Sequence, residues 1–254
     1  MSVEDFPFSY NSGTRRALKK YSRMVTSNSV VLASGGLDST VTAAVAKSEG
    51  YELYFLTIDY GQRHRAEIDC AKKIAACFDV KDHKIVQLDL RTFGGSALTD
   101  HIAVPTDQNA RNRGQEIPVT YVPARNTIFL SLALAYAEVL EASKIFFGAN
   151  IRDYSGYPDC RPEFIQAFME MARLGTRLGQ QGHQVEIMAP LLYLTKREII
   201  QKGHALGVPF QWTNSCYNPG PQNRPCGHCD SCLIRHEGFQ EAHLTDPLQA
   251  RGNA

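Results

Sequence analysis

Seven residues, Ser34-Gly35-Gly36-Leu37-Asp38-Ser39-Thr40, carry the strongest chemical signal in the chain. They follow a short apolar run, Val30 to Ala33, and precede a small-residue run, Val41 to Lys47. The order therefore reads strand, glycine-rich loop, helix. Two glycines open backbone angles closed to other residues. Asp38, Ser39 and Thr40 are helix-capping types that leave loop amides available. Such amides, with the positive end of the helix dipole, bind phosphate. The expected nucleotide-binding stretch is Ala33, Ser34, Gly35, Gly36, Leu37, Asp38, Ser39, Thr40, Val41, Thr42 and Ala43. No Lys stands where a Walker A loop needs one, and the Gly-x-Gly-x-x-Gly spacing of dinucleotide folds is absent. Cations for developing phosphate charge must come from elsewhere, and Arg63, Arg125, Arg161 and Lys196 are the candidates.

A second cluster lies near the end: Cys216, Cys226, Cys229 and Cys232 form C-x9-C-x2-C-x2-C. Four thiolates at this spacing fit a closed, structural zinc site. An iron–sulfur centre is the alternative, since a set of cysteines alone can hold either. Gly227 and Asp230 suit the tight turns, and His228 is a spare ligand type. Arg224 and Arg235 are too few charges for a strong nucleic-acid knuckle.

Strands and helices alternate around these motifs. Strands are expected at 29–33, 51–58, 83–88, 144–148 and 183–189. Helices are expected at 39–49, 65–79, 124–142, 161–178 and 195–206. Residues 91–122 lack periodicity, and a loop that long is usually functional. Cys70 and Cys77 share one helical face and read as buried core thiols. The alternation argues for an α/β fold with a doubly wound, mainly parallel sheet, in which ligands sit beyond the carboxyl ends of the strands. The loops 34–40, 59–65, 91–122, 149–161 and 190–196 all follow strands, so all five are expected at one crevice.

At 254 residues and 43% hydrophobic content the chain can bury a sizeable core. The division read from the sequence is an extension, 1–28, an ATP-binding domain, 29–207, and a zinc-binding segment, 208–254. Residues 14–25 read as a short amphipathic helix or a flexible extension, and Met24 can serve as a start. A formal net charge of +1 suggests neither a nucleic-acid nor a membrane surface. No signal peptide and no run of about eighteen apolar residues is visible. Seven cysteines, four of them clustered, suggest metal in a reducing cytoplasm.

Taken together, these motifs resemble the QueC family of 7-cyano-7-deazaguanine synthases, which are N-type ATP pyrophosphatases. The likeness covers roughly residues 29–247. It rests on Ser34 to Thr40, Asp59-Tyr60-Gly61-Gln62-Arg63-His64 and Tyr121-Val122-Pro123-Ala124-Arg125-Asn126. It continues with Asp153-Tyr154-Ser155-Gly156-Tyr157-Pro158-Asp159-Cys160-Arg161, Pro190 to Lys196, Ser215-Cys216-Tyr217 and the final cysteines. Position 37 is Leu where many members have Gln, and position 124 is Ala where many have Gly.

The resemblance implies a Rossmann-like fold of the adenine nucleotide alpha hydrolase type. It also implies ATP-driven conversion of 7-carboxy-7-deazaguanine and ammonia to the nitrile, on the route to queuosine. A carboxylate is a poor electrophile; adenylation supplies a leaving group, ammonia gives an amide, and a second activation yields the nitrile. ATP, Mg²⁺ and one structural Zn²⁺ per chain are the implied cofactors, and a cytoplasmic homodimer is the implied assembly. Asp38, Ser39, Arg125 and Lys196 are the expected catalytic residues. Arg63, Tyr121, Asn126, Asp153, Tyr157, Asp159 and Arg161 are the expected substrate contacts. Asp153 or Asp159, with Glu163 as a third choice, would accept from the base edge, and Tyr121, Tyr154 or Tyr157 would stack on the ring. Cys160 invites a nucleophile reading, but an adenylated carboxylate needs no acyl-enzyme. Other readings stay open: transfer to another amine, a thiolation or amidotransferase-like reaction, or a nucleotide-binding module without catalysis.

Overall fold

The computed structural model describes residues 28–62, 66–104, 117–152 and 157–248. The expected N-terminal helix, Arg63 and Asp153 lie outside them. Five strands form one parallel sheet: β1 (Asn28–Leu32), β2 (Glu52–Asp59), β3 (Asp82–Gln87), β4 (Lys144–Phe146) and β5 (Glu186–Met188). Their order is β3-β2-β1-β4-β5, so the chain reverses direction across the sheet between β1 and β4. This is where a doubly wound sheet opens its crevice.

Side chains alternate across each strand, and the two faces collect different helices. Val30, Leu32, Leu56, Ile58 and Ile145 pack with α3 (Arg125–Leu140) and α4 (Pro162–Gly175). Val31, Leu53, Phe55 and Phe146 pack with α1 (Leu37–Ser48), α2 (Ala66–Phe78), α6 (Lys196–Ala205) and α7 (Asp230–Glu241). Phe55, Phe146, Ile145 and Ile199 are fully buried, and each such side chain contributes roughly 1.5–3 kcal/mol.

Three expectations need correction. The helix expected over 161–178 is broken, because Thr176 leaves helical geometry and its side chain caps a separate turn, α5 (Arg177–Gln180), by accepting from the Gly179 amide at 3.0 Å. Cys70 is only half-buried and Cys77 is exposed, since α2 turns Ile68, Ala71, Ile74, Ala75 and Phe78 inward instead. The last helix, α7, has no counterpart in the sequence reading. Its buried face is partly polar, with Ser231 and Arg235 beside Ile234 and Phe239, so apolar periodicity does not announce it. Arg235 is satisfied by a buried ion pair with Asp246 at 2.8 and 2.9 Å and by Thr213 Oγ1 at 2.7 Å. Removing one partner of such a pair costs about 3–5 kcal/mol.

Candidate active site

The glycine loop runs from β1 into α1 at the crevice, and three close approaches shape it. Gly35 has φ +84, and a Cβ there would stand 2.1 Å from the Glu67 carbonyl and 2.7 Å from the Ala71 nitrogen. Only glycine lets the first turns of α2 press against the loop. Gly148, just past β4, lies so close that a Cβ would be 3.2 Å from the Ser39 amide nitrogen. From the C-terminal segment, the Asn214 amide donates to the Gly35 carbonyl at 3.1 Å, and Ser215 Oγ accepts from the Leu37 amide at 3.1 Å.

The expected capping pattern is corrected. Gly36 is the N-cap of α1, and the hydroxyls of Ser39 and Thr40 donate back to its carbonyl at 3.1 and 2.7 Å. Ser34 Oγ accepts from the Gly36 amide at 3.2 Å and lies 3.0 Å from Ser39 Oγ. The amides of Asp38 and Ser39 have no partner among the described residues, and both residues line the cavity above the loop. Val41, Thr42 and Ala43 are buried along α1; they and Thr40 are not among the cavity-lining residues, whereas Ala33, Ser34, Gly36 and Leu37 are.

The cavity is walled by the loops that follow β1 to β4. Tyr60 and Gln62 come from the loop after β2, Leu98 from that after β3, and Gly148, Asn150, Tyr157 and Cys160 from that after β4. The loop after β5 braces its neighbour instead. Asn150 Nδ2 donates to the carbonyls of Leu191 and Leu194 at 2.9 and 2.6 Å. Of the four expected cations, only Arg125 lines the cavity among the described residues. It starts α3 behind Ala124, a left-handed residue at φ 53. Its guanidinium sits 5.9 Å from the Tyr60 ring centre and is charged at any physiological pH. Lys196, buried at the start of α6, reaches the glycine loop from behind, with Nζ 2.6 Å from Asp38 Oδ1. Arg161 is exposed at the N-cap of α4.

Asp159 is already engaged. It accepts from the Asn126 amide at 3.0 Å and from Asn126 Nδ2 at 3.2 Å, across the N-terminus of α3. Burial nonetheless holds its carboxyl above the usual range. Asn126 Nδ2 also lies 3.3 Å from Cys160 Sγ, and burial pushes that thiol up to about 12, far from a reactive thiolate. Tyr157 is buried at the cavity with its hydroxyl 3.0 Å from Thr120 Oγ1. Tyr121 stands behind it, ring centres 5.6 Å apart, and its oxygen accepts from the Ala124 amide at 3.0 Å.

Several lining residues carry no role in the sequence reading: Tyr60, Glu67, Asn150, Ser215 and Tyr217. Tyr60, Ser215 and Tyr217 stood inside the matched strings, and Glu67 follows one within a few residues. The cysteines converge as expected. Their four sulfurs lie within 4.8 Å of one another, with Cys216–Cys229 and Cys226–Cys232 at 4.0 Å. Zinc bonded to four sulfurs sets them about 3.8 Å apart, so this donor set fits a closed metal site. Backbone amides of Asn218 and Cys226 point at Cys216 Sγ, at 3.4 and 3.2 Å, as suits a sulfur that carries negative charge. No helix among the described residues is long and apolar enough to cross a membrane.

The chain is 56% identical over 223 residues to a protein of Kineococcus radiotolerans named 7-cyano-7-deazaguanine synthase, covering 88% of this chain and 97% of that one. It is 54% identical over 228 residues to the protein of that name from Saccharophagus degradans, covering 89% and 99%. Among solved structures, an NMN synthetase from Francisella tularensis superposes with a TM-score of 0.45 at 14% identity, covering 91% of each chain. Residues 28–243 match the family described as "Queuosine biosynthesis protein QueC", and the chain belongs to that family.

Proposed function

We propose that the chain converts 7-carboxy-7-deazaguanine and ammonia to 7-cyano-7-deazaguanine, driven by ATP, as a ligase of queuosine biosynthesis. One observation carries the reading. In a member of this family, unpartnered amides of a glycine loop and one half-buried cation, Arg125, meet in a cavity lined by Tyr157 and Tyr217. A loop that grips an anion through backbone N–H groups suits departing pyrophosphate better than a transferred terminal phosphate, because it offers no Lys for the latter.

The substrate carboxylate attacks the α-phosphorus of ATP, and pyrophosphate leaves into the loop. The Asp38 and Ser39 amides and the Ser34 hydroxyl hold it. The hydroxyls of Ser39 and Thr40 act indirectly by fixing the Gly36 carbonyl. Arg125 neutralises charge on the α-phosphate or the carboxylate. Lys196 holds Asp38 and thereby the first turn of α1. Asp38 is the carboxylate that would help hold Mg²⁺ brought in with ATP, and the ion would supply charge neutralisation. Ammonia then displaces AMP to give the amide. Adenylation of the amide oxygen and loss of the second AMP give the nitrile. Tyr157, backed by Tyr121, stacks on the deazaguanine. Because Asn126 occupies the Asp159 carboxylate, Asp153 is the acceptor for the base edge, and Arg63 and Arg161 serve as further substrate contacts. The four cysteines hold one structural Zn²⁺. Free ammonia is the nitrogen donor, no nucleic acid takes part, and the enzyme works as a cytoplasmic homodimer.

The test is an incubation with ATP, Mg²⁺, ammonium and 7-carboxy-7-deazaguanine, read by mass. Nitrile and AMP are expected. Formation of ADP, or indifference to the acid, would overturn the reading.

A further inference from the structure

Glu67 is an acidic residue in a cavity proposed to receive two anions. It lies in the first turn of α2 and lines the cavity together with Arg125, Asp38 and Ser39. Its backbone carbonyl is pressed against Gly35, so the residue is anchored beside the place where pyrophosphate would leave. Its carboxylate makes no hydrogen bond or ion pair at contact distance among the described residues. A bare carboxylate here repels ATP and the substrate acid alike, at an energy that a half-dry cavity enlarges. The nucleotide chemistry assigns it no task. A cation beside the group offsets that repulsion, and besides the Mg²⁺ carried with ATP the nitrogen substrate is one. Near neutral pH ammonia is mostly ammonium, which has no lone pair and cannot attack until it loses a proton.

We propose that Glu67 holds ammonium beside the glycine loop and takes the proton that turns it into the nucleophile. This deepens the function proposed above and rests on it. Ammonium gives one proton to the Glu67 carboxylate. The freed lone pair forms the C–N bond at the acyl carbon. The bond from that carbon to the phosphate-bearing oxygen breaks, and AMP leaves with the electron pair. The second proton passes from nitrogen to water, and the Glu67 proton follows before the next turnover. Burial pushes the Glu67 carboxyl up to about 7, against the pull of Arg125, which places it near the operating pH where a base works best. The charged group acting on it is Arg125 on α3, and its own charge in turn raises Tyr60 after β2 and Cys70 on its own helix.

The experiment compares wild type, Glu67→Gln and Glu67→Asp in two assays. The first is ATP–pyrophosphate exchange that depends on 7-carboxy-7-deazaguanine, without ammonium. The second is product formation at pH 7 with ammonium or with hydroxylamine, which is uncharged there and needs no base. Exchange should stay within about three-fold in both variants. Glu67→Gln should lose about 100-fold or more with ammonium, the usual scale of a general base, yet form hydroxamate within about three-fold of wild type. Glu67→Asp should recover part of the ammonium rate. Equal losses with both nucleophiles, or no loss with ammonium, would overturn the assignment. Loss of exchange in Glu67→Gln, with an altered Mg²⁺ requirement, would also overturn it and place the residue at the nucleotide. Absence of exchange in wild type would instead refute the parent reading, and this one with it.

Discussion

The glycine loop at residues 34–40 and the segment 214–217 meet in one cavity, yet they are held in place by different physics. The loop is set by sheet order and by contacts that only glycine permits, with Gly35 against α2 and Gly148 against Ser39. The segment 214–217 has no strand beneath it. It is tied to the loop by two hydrogen bonds, from Asn214 to Gly35 and from Leu37 to Ser215. It contains Cys216, one of four sulfurs that draw together residues 216–232. One side of the site is therefore a consequence of the core. The other side depends on a local cluster that a small core could not order by itself.

That difference can be broken from either side. The largest effect is expected from Gly35→Ala. The added Cβ cannot fit 2.1 Å from a backbone oxygen, and φ +84 disfavours any side chain. Pyrophosphate exchange should fall by more than about 100-fold, while the sheet, read by far-UV circular dichroism, persists. Removing the metal should act on the other side. A chelator, or Cys232→Ser, should leave the sheet signal, weaken ATP binding about ten-fold and lower the melting temperature. Unchanged ATP affinity after complete metal loss would separate the cysteine cluster from the site.

A smaller effect is expected at Ala124. Its φ of 53 is a left-handed conformation that costs roughly 1–2 kcal/mol for a residue with a Cβ, and glycine returns part of this as chain entropy. Ala124→Gly should therefore raise stability by about 0.5–1 kcal/mol in urea titration, with Arg125 left in place. The last effect is a pH dependence. The Glu67 carboxyl is raised from 4.5 to about 7 in the fold, so the folded state holds its proton more tightly. Its stabilising contribution is complete below about pH 4.5 and is lost as pH rises through 7. The melting temperature of the ligand-free protein should carry that decline, and Glu67→Gln should lack it.

The parts of the molecule legible in the sequence are those made by local pattern. Val30 to Ala33 and the small residues after Ser39 announce β1 and α1, and the spacing of four cysteines announces their convergence. Long-range pairings were not legible. Asp159 looks by type like a free acceptor, yet it meets Asn126 across 33 positions. Lys196 meets Asp38 across 158. The helix α7 hides because its buried face is anchored by Arg235 and Asp246 rather than by an apolar stripe. Glu67 drew no notice because an acidic residue in a helix's first turn is ordinary; only the cavity around it makes it unusual.

The central claim is that the glycine loop receives pyrophosphate while the substrate acid takes AMP. Carboxylate oxygen labelled with ¹⁸O tests it most directly. The account predicts two molecules of AMP per nitrile, each carrying one labelled oxygen, and none of the label in pyrophosphate or water. Label in inorganic phosphate, or unlabelled AMP beside labelled water, would contradict it.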